Sequence, residues 1–122
     1  MTAEVRDQSI GVATSKGLVP FVLVLPDDNA KYHELLKPPR SVVMHSGVVT
    51  LRPDESVGSH TTGKHEELLV ILDGIGEVEL VGFGRKKVHG GCVAYVPPLT
   101  QHNVLNVGTQ PLRYVFVVSR AE

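Results

Sequence analysis

The chain has 122 residues, in which 12 lysines and arginines face 13 aspartates and glutamates, giving a formal net charge of −1. This length supports one domain with one hydrophobic core. Lys86-Lys87 is the only basic cluster, so the charge pattern excludes the electrostatic surface that nucleic acids or anionic membranes attract. We therefore predict neither a nucleic-acid partner nor a membrane partner.

The N-terminal residues and the cysteine content indicate a cytoplasmic protein. Residues 1–9 are polar and charged and lack the basic-then-apolar pattern of a secretory signal. The longest apolar run, Leu18 to Leu25, is interrupted by Pro20 and is too short to span a bilayer. The single cysteine, Cys92, cannot form an internal disulfide, and we interpret it as a small buried apolar residue.

Residues 1–39 are predicted to form an N-terminal unit that packs on the rest of the chain. We expect a strand over Leu18 to Leu25, followed by a short helical turn. Asp27-Asp28-Asn29 can cap such a turn, which would run through Tyr32 to Leu36. Pro38-Pro39 would end it, because proline cannot continue a helix.

Residues 40–122 show the pattern of an all-β barrel. Short β-branched runs recur about every ten residues, with Gly, Pro or Asp between them, which is typical of a sandwich or barrel. Asp73-Gly74 predicts a tight hairpin, since glycine supplies the positive φ that such a turn requires. A jelly-roll-like barrel leaves few open edges and is the simplest arrangement. The predicted strands are Ser41–Leu51, Glu67–Leu72, Gly76–Val81, Cys92–Val96, His102–Val107 and Leu112–Val118.

Two of these strands, over residues 68–72 and 114–118, are apolar on both faces. A strand with one face in water alternates apolar and polar residues, so a second covered face is implied. The strand at Leu18 to Leu25 would cover part of it, and a subunit interface would cover the rest. We therefore predict a homodimer; sheet-on-sheet packing within one barrel is the alternative.

Four residues with metal-binding side chains lie in two stretches of the chain. His60, His65 and Glu67 fall between Gly58 and Gly74, and His102 follows Pro97-Pro98. Imidazoles and a carboxylate at strand ends, beside turns, have the rigid support and the access that a metal site needs.

The two stretches resemble the paired motifs of the cupin superfamily. The first motif runs glycine, histidine-any-histidine, three or four residues, glutamate, six residues, glycine. His60, Glu67 and Gly74 match it, while Thr62 stands at the second histidine.

The second cupin motif runs glycine, five residues, proline, any residue, glycine, two residues, histidine, three residues, asparagine. Gly91, Pro97, His102 and Asn106 match it, and Leu99 stands at a glycine position. Together the motifs cover about the middle half of the chain. The resemblance implies a double-stranded β-helix, also called a cupin barrel, with a metal and a small-molecule pocket inside it.

The predicted side-chain directions around Gly63-Lys64 suggest which residue replaces the missing histidine of the first motif. If these two residues form a hairpin turn, Thr62 pairs with His65 and His60 pairs with Glu67. Residues two apart, and residues directly opposed, share a face of an antiparallel pair. We therefore predict that His65 supplies the imidazole that is missing at position 62.

Two ligand sets follow, and the sequence leaves the choice between them open. His60, Glu67 and His102 alone form a two-histidine, one-carboxylate triad, the set of open-sided Fe(II) sites. Adding His65 gives a set closer to the usual cupin ligands. Either set accepts a divalent transition metal such as Fe, Mn, Ni, Co, Cu or Zn.

The predicted function is a metal-binding cupin that takes a small-molecule substrate or ligand. A dioxygenase is favoured slightly over an isomerase or lyase because of the triad. No catalytic acid or base is identifiable beside the ligands. The alternative is a non-catalytic module that binds or senses a small ligand, because fold alone does not determine function.

Overall fold

A computed structural model of the protein describes residues 17–121, and this part of the chain is all β. The predicted fold class is confirmed. None of the described residues forms a helix long and apolar enough to cross a membrane. The strands are β1 (Tyr32–Leu36), β2 (His45–Leu51), β3 (His60–Thr61), β4 (His65–Asp73), β5 (Ile75–Leu80), β6 (Gly84–His89), β7 (Val93–Val96), β8 (Gln101–Asn106) and β9 (Leu112–Arg120).

The strands form two antiparallel sheets with one core between them. The order is β1-β2-β9-β4-β7 in the five-stranded sheet and β3-β8-β5-β6 in the four-stranded sheet. Every second residue of β4 and β9 points inward, which places Leu69, Ile71, Leu112 and Tyr114 in the core. The alternation of apolar residues therefore sets which face of each sheet is buried.

The prediction of a helical turn over Tyr32 to Leu36 is wrong, because these residues form β1. The Asp28 carboxylate accepts a hydrogen bond from the Ala30 amide at 3.0 Å and contacts the His33 ring at 2.8 Å. It therefore closes a local turn instead of capping a helix. β1 pairs with β2, which satisfies backbone groups that a single isolated helical turn would hold only weakly.

The predicted strand over Leu18 to Leu25 belongs to no sheet among the described residues. Phe21 of this segment and Pro26, directly after it, contact other parts of the described chain. The Arg40 guanidinium lies 4.2 Å from the centre of the Phe21 ring, and the Arg113 side chain donates to the Pro26 carbonyl. The first sixteen residues of the predicted N-terminal unit lie outside the described part of the chain.

Strand β6 was not predicted, and it forms the outer edge of the four-stranded sheet. Only Val88 among its residues is buried. The Arg85 side chain forms ion pairs with Glu77 at 3.1 Å and with Glu79 at 3.0 Å on the neighbouring strand β5. One apolar position is too few to produce a detectable alternation, so the sequence does not distinguish this strand from a charged loop.

Gly74 does have the predicted positive φ, but it does not form a hairpin. It has a φ of 97° and joins β4 of the five-stranded sheet to β5 of the four-stranded sheet. A Cβ at this position would lie 2.5 Å from the carbonyl oxygen of Pro111 and 2.8 Å from the Cα of Leu112. Both the φ and the close backbone therefore require glycine at this corner.

We expect Gly74→Ala to lower the free energy of unfolding by about 2–5 kcal/mol, from backbone strain and overpacking together. Gly82→Ala is the matched control, because Gly82 has a φ of 92° with nothing within 4 Å of an added Cβ. It should lose only about 1 kcal/mol. Urea denaturation of both variants measures the difference, and equal losses would contradict the close contact at Gly74.

Candidate metal centre

Three of the four predicted ligands converge inside the barrel. His60 lies on β3 and His102 on β8 of the four-stranded sheet, while Glu67 lies on β4 of the five-stranded sheet. One ligand atom from each lies within 4.8 Å of the other two. Nitrogen and oxygen ligands at about 2.0–2.2 Å from one ion lie at most about 4.4 Å apart, so the cluster fits a single metal ion with little adjustment.

The pairing of β3 with β8 places the two histidines together. His60 and His102 are directly opposed in this pair, and their ring centres are 4.3 Å apart. Directly opposed residues share a face of an antiparallel pair, so both rings project to the same side of the sheet.

The predicted pairing of His60 with Glu67 is therefore wrong, although the turn at Gly63-Lys64 is present. The His65 amide donates to the Thr62 carbonyl at 3.1 Å, which closes the turn. Beyond it β3 joins one sheet and β4 joins the other. Glu67 consequently reaches His102 across the barrel interior, and not along a shared ladder.

Backbone carbonyls determine which ring nitrogen of each clustered histidine is available. His60 Nδ1 lies 2.7 Å from the Gly58 carbonyl, and His102 Nδ1 lies 2.9 Å from the Thr100 carbonyl. A carbonyl oxygen only accepts, so Nδ1 carries the hydrogen in both rings. The lone pair of each neutral ring is then on Nε2, as is usual when a second hydrogen bond orients a metal-binding histidine.

Glu67 and His102 form a buried polar contact at the centre of the cluster. His102 Nε2 lies 2.7 Å from Glu67 Oε1, and the His102 residue is only 1% exposed. Burial by itself lowers the pKa of His102. The hydrogen bond to Glu67, the bond to the Thr100 carbonyl and the Glu67 charge outweigh burial, so the pKa is raised. The site therefore favours a positive charge between these two atoms, either a proton or a metal ion.

His65, the fourth predicted ligand, is not brought into this cluster. Its Nδ1 lies 3.2 Å from the Thr62 carbonyl and donates to it, and its own carbonyl accepts a bond from the Thr62 hydroxyl at 2.8 Å. These two hydrogen bonds hold Thr62 and His65 together across the turn. Thr62 also lines the cavity described next, whereas His65 does not.

The cluster opens into a cavity of about 280 Å³ between the two sheets. Four valines and three aromatic side chains form most of its wall, and the aromatic residues are Tyr32, Tyr114 and Phe116. Burial raises the pKa of Tyr114, and the negative charge of Glu67 raises it further, so its hydroxyl stays protonated at neutral pH. Sequence reasoning missed Tyr114 as a site residue, because the run from Leu112 to Val118 indicated only a buried strand.

The backbone of the loop between β7 and β8 shows why the second motif has a glycine at the position of Leu99. Leu99 occupies that position with a φ of 59°, a conformation that costs a leucine about 1–2 kcal/mol. Its amide donates to the Gly63 carbonyl at 2.7 Å. This bond connects the loop before His102 to the turn before Glu67. The strained residue thus links two segments of the site.

Two facing sheets that enclose a histidine and carboxylate cluster define a small β-barrel of the jelly-roll type. The chain belongs to the cupin domain family, whose profile matches residues 47–118. No curated protein matches the chain.

Solved structures with the same fold share little sequence with this chain. A cupin 2 conserved barrel domain protein from Salinispora arenicola is 22% identical with a TM-score of 0.65, over 99% of this chain and 92% of that one. The Schizosaccharomyces pombe Cnp3 cupin domain is 18% identical with a TM-score of 0.66, over 73% of this chain and 63% of that one. A predicted oxalate decarboxylase from Thermotoga maritima is 24% identical with a TM-score of 0.59, over 62% of this chain and 65% of that one. The chain thus spans less than two thirds of the latter two, and these similarities show the fold alone.

We expect Glu67→Ala to lower the free energy of unfolding by about 3–5 kcal/mol, because it leaves His102 buried without its partner. Glu67→Gln keeps the shape, and the introduced amide can donate to the Nε2 lone pair of His102. It should therefore stay within about 1.5 kcal/mol of the wild type. Denaturation of the metal-free proteins at one pH measures both, and a Glu67→Gln loss as large as that of Glu67→Ala would contradict this geometry.

Proposed function

We propose that the protein binds one divalent transition metal ion through His60, Glu67 and His102 and presents it to a small molecule in the barrel cavity. The observation that carries this proposal is the convergence of the three side chains, with Nε2 as the lone-pair atom of both histidines. Within this class we favour a dioxygenase over an isomerase or lyase, because two histidines and one carboxylate are the ligands of open-sided Fe(II) sites.

The side chains of the cluster would hold and orient the ion. The bonds from Nδ1 to the Gly58 and Thr100 carbonyls fix the planes of the two rings. The histidines therefore lose little conformational freedom when the ion binds. Three protein ligands are fewer than these ions take, which leaves room for a ligand from the cavity. A bound ion of this kind polarises a coordinated group or, as Fe(II), activates dioxygen. Fe, Mn, Ni, Co, Cu and Zn all accept this ligand set.

A non-catalytic binding or sensing module is the second candidate, and the composition of the cavity wall supports it. Glu67 is the only carboxylate among the described residues that line the cavity, and no lysine, arginine or cysteine joins it. The Thr62 hydroxyl already donates to the His65 carbonyl. An acid or base separate from the ligands is therefore missing from the described wall, apart from the tyrosines.

We expect the purified protein to bind about one divalent metal ion per chain. A His60→Ala, His102→Ala variant should lose that metal, because it removes both nitrogen ligands. His65→Ala should change the metal affinity by less than about threefold, which corresponds to under 1 kcal/mol. Elemental analysis and zinc titration at one pH measure these differences.

His89→Ala serves as the control for the loss of an imidazole, since the His89 ring is exposed and, within residues 17–121, bonds only to the Gly90 carbonyl. Full metal content in the double variant would refute the site. A large loss of affinity in His65→Ala would restore the four-ligand set. Oxygen uptake after Fe(II) loading then separates the two functions: turnover supports the dioxygenase, whereas tight metal binding without turnover across substrate classes supports the binding module.

We also propose that two copies of the chain pair through the segment Leu18 to Leu25. Val22 and Val24 are 96% and 91% exposed, which is unusual for adjacent apolar side chains. Residues 18–21 of the same segment line an apolar groove of about 350 Å³ together with residues 42–44. A second copy of the same surface would cover these side chains in a two-fold dimer.

We expect light scattering at micromolar concentration to give the mass of a dimer. Val22→Glu with Val24→Glu should convert it to a monomer, because two carboxylates per chain would be buried without partners. Val81→Glu is the control, since Val81 is an exposed valine in the turn between β5 and β6. A wild-type monomer, or an unchanged mass in the double variant, would refute this interface.

A further inference from the structure

The wall of the cavity is selective against charged ligands. Outside the metal cluster and Thr62, the described lining residues are valines and aromatic residues, without a lysine or arginine. An anionic group placed against this wall would lose its hydration without gaining a counter-charge. The wall therefore suits an uncharged molecule, and any polar group of that molecule has few places to bind.

Two aromatic rings lie together on one side of the cavity. The rings of Tyr32 and Phe116 are stacked with their centres 6.1 Å apart and their planes 15° apart. Gly47 lies against both rings, and a Cβ there would be 2.5 Å from Tyr32 and 2.9 Å from Phe116. The absence of a side chain at position 47 thus lets the two rings lie parallel over β2. Aromatic faces of this kind bind other planar rings well.

The hydroxyl of Tyr114 has no hydrogen-bond partner among the residues from 17 to 121, although Tyr114 is only 2% exposed. Tyr114 lies on the inward face of β9 and lines the cavity together with Glu67 and His102. A buried hydroxyl without a partner costs about 1–3 kcal/mol, so the partner is expected in the cavity. The Tyr32 hydroxyl differs, because Tyr32 is half exposed and can bond to solvent.

We propose that the cavity binds a small, uncharged aromatic ring that carries a hydroxyl group, and that the hydroxyl of Tyr114 hydrogen-bonds to it. Tyr114 is then a specificity-determining residue. An apolar cavity of about 150 Å³ holds a benzene ring, so about 280 Å³ holds one ring with its substituents. This assignment rests on the proposed function in taking the cavity beside the metal cluster as the substrate site.

Four probes test the proposal: phenol and three molecules that differ from it in the hydroxyl, the planar ring or the charge. Toluene lacks the hydroxyl, cyclohexanol lacks the planar ring, and benzoate carries a charge. We expect phenol to bind the metal-free protein at least fivefold more tightly than each of the others in NMR titrations. Zinc-loaded protein, which is redox-inert, should show the same order for phenol, toluene and cyclohexanol.

Tyr114→Phe removes only the hydroxyl and should weaken phenol binding about fivefold to tenfold, the worth of one hydrogen bond. Toluene affinity should stay within twofold, which also shows that the variant is folded. Tyr95→Phe is the matched control and should leave both affinities unchanged, because the Tyr95 hydroxyl donates to Glu66 and Tyr95 does not line the cavity. If Tyr114→Phe does not fold, the order of the four probes in the wild-type protein still tests the proposal.

The proposal is overturned if phenol shows no saturable binding, if phenol binds the metal-free protein no better than toluene, cyclohexanol or benzoate, or if Tyr114→Phe binds phenol as the wild type does. The two proposals fail separately. A phenol preference that depends on Tyr114, in a protein that binds no metal, supports the ligand assignment and refutes the metal site. Stoichiometric zinc binding without a phenol preference supports the metal site and refutes the ligand assignment.

Discussion

The contact between Glu67 and His102 is the constraint on which the rest of the structure depends. It joins the two sheets through the interior, at 2.7 Å between side chains that are both buried. Either group alone would be costly in such a place, and each is tolerated because the other is present. The two strands that carry them must therefore stay in register across the barrel, and the cluster, its cavity and the turn at Gly63-Lys64 are arranged around that requirement.

The inward face of β8 shows how a short chain combines a polar centre with an apolar core. Along β8, His102, Val104 and Asn106 all face inward, so one strand passes from the cluster through the apolar core to the opposite end. There the Asn106 amide donates to the carbonyls of Leu51 and Gln110 at 3.0 and 2.8 Å, and its oxygen accepts from the Gly108 amide. Asn106 is thus bonded within the protein through both atoms of its amide and acts structurally. The Tyr114 hydroxyl, which lacks a partner among the described residues, lies at the cluster end instead.

Sequence patterns predicted the elements of this fold better than their pairing. Six of the predicted strands are present, because alternation and β-branched composition depend only on neighbours in the chain. The pairing of His60 with Glu67 failed, since a turn shows that two strands meet but not that they part into different sheets. The prediction of a helical turn over Tyr32 to Leu36 failed for a similar reason. These residues form a strand because they pair with β2, which their own sequence does not reveal. The unpartnered hydroxyl of Tyr114 has no sequence signal, since it depends on side chains from both sheets.

The edge strand β6 has a consequence for how copies of this protein meet. The outer strand of an open sheet offers unpaired backbone groups to any other extended chain, which is a common route to aggregation. Here that strand carries Arg85, Lys86 and Lys87 in succession, all exposed. Arg85 is paired with Glu77 and Glu79, so Lys86 and Lys87 supply the positive charges that would oppose each other if two such edges met. Sheet extension from one molecule to the next is therefore disfavoured. The charged residues that made this strand look like a loop in the sequence thus also oppose its pairing with a second copy.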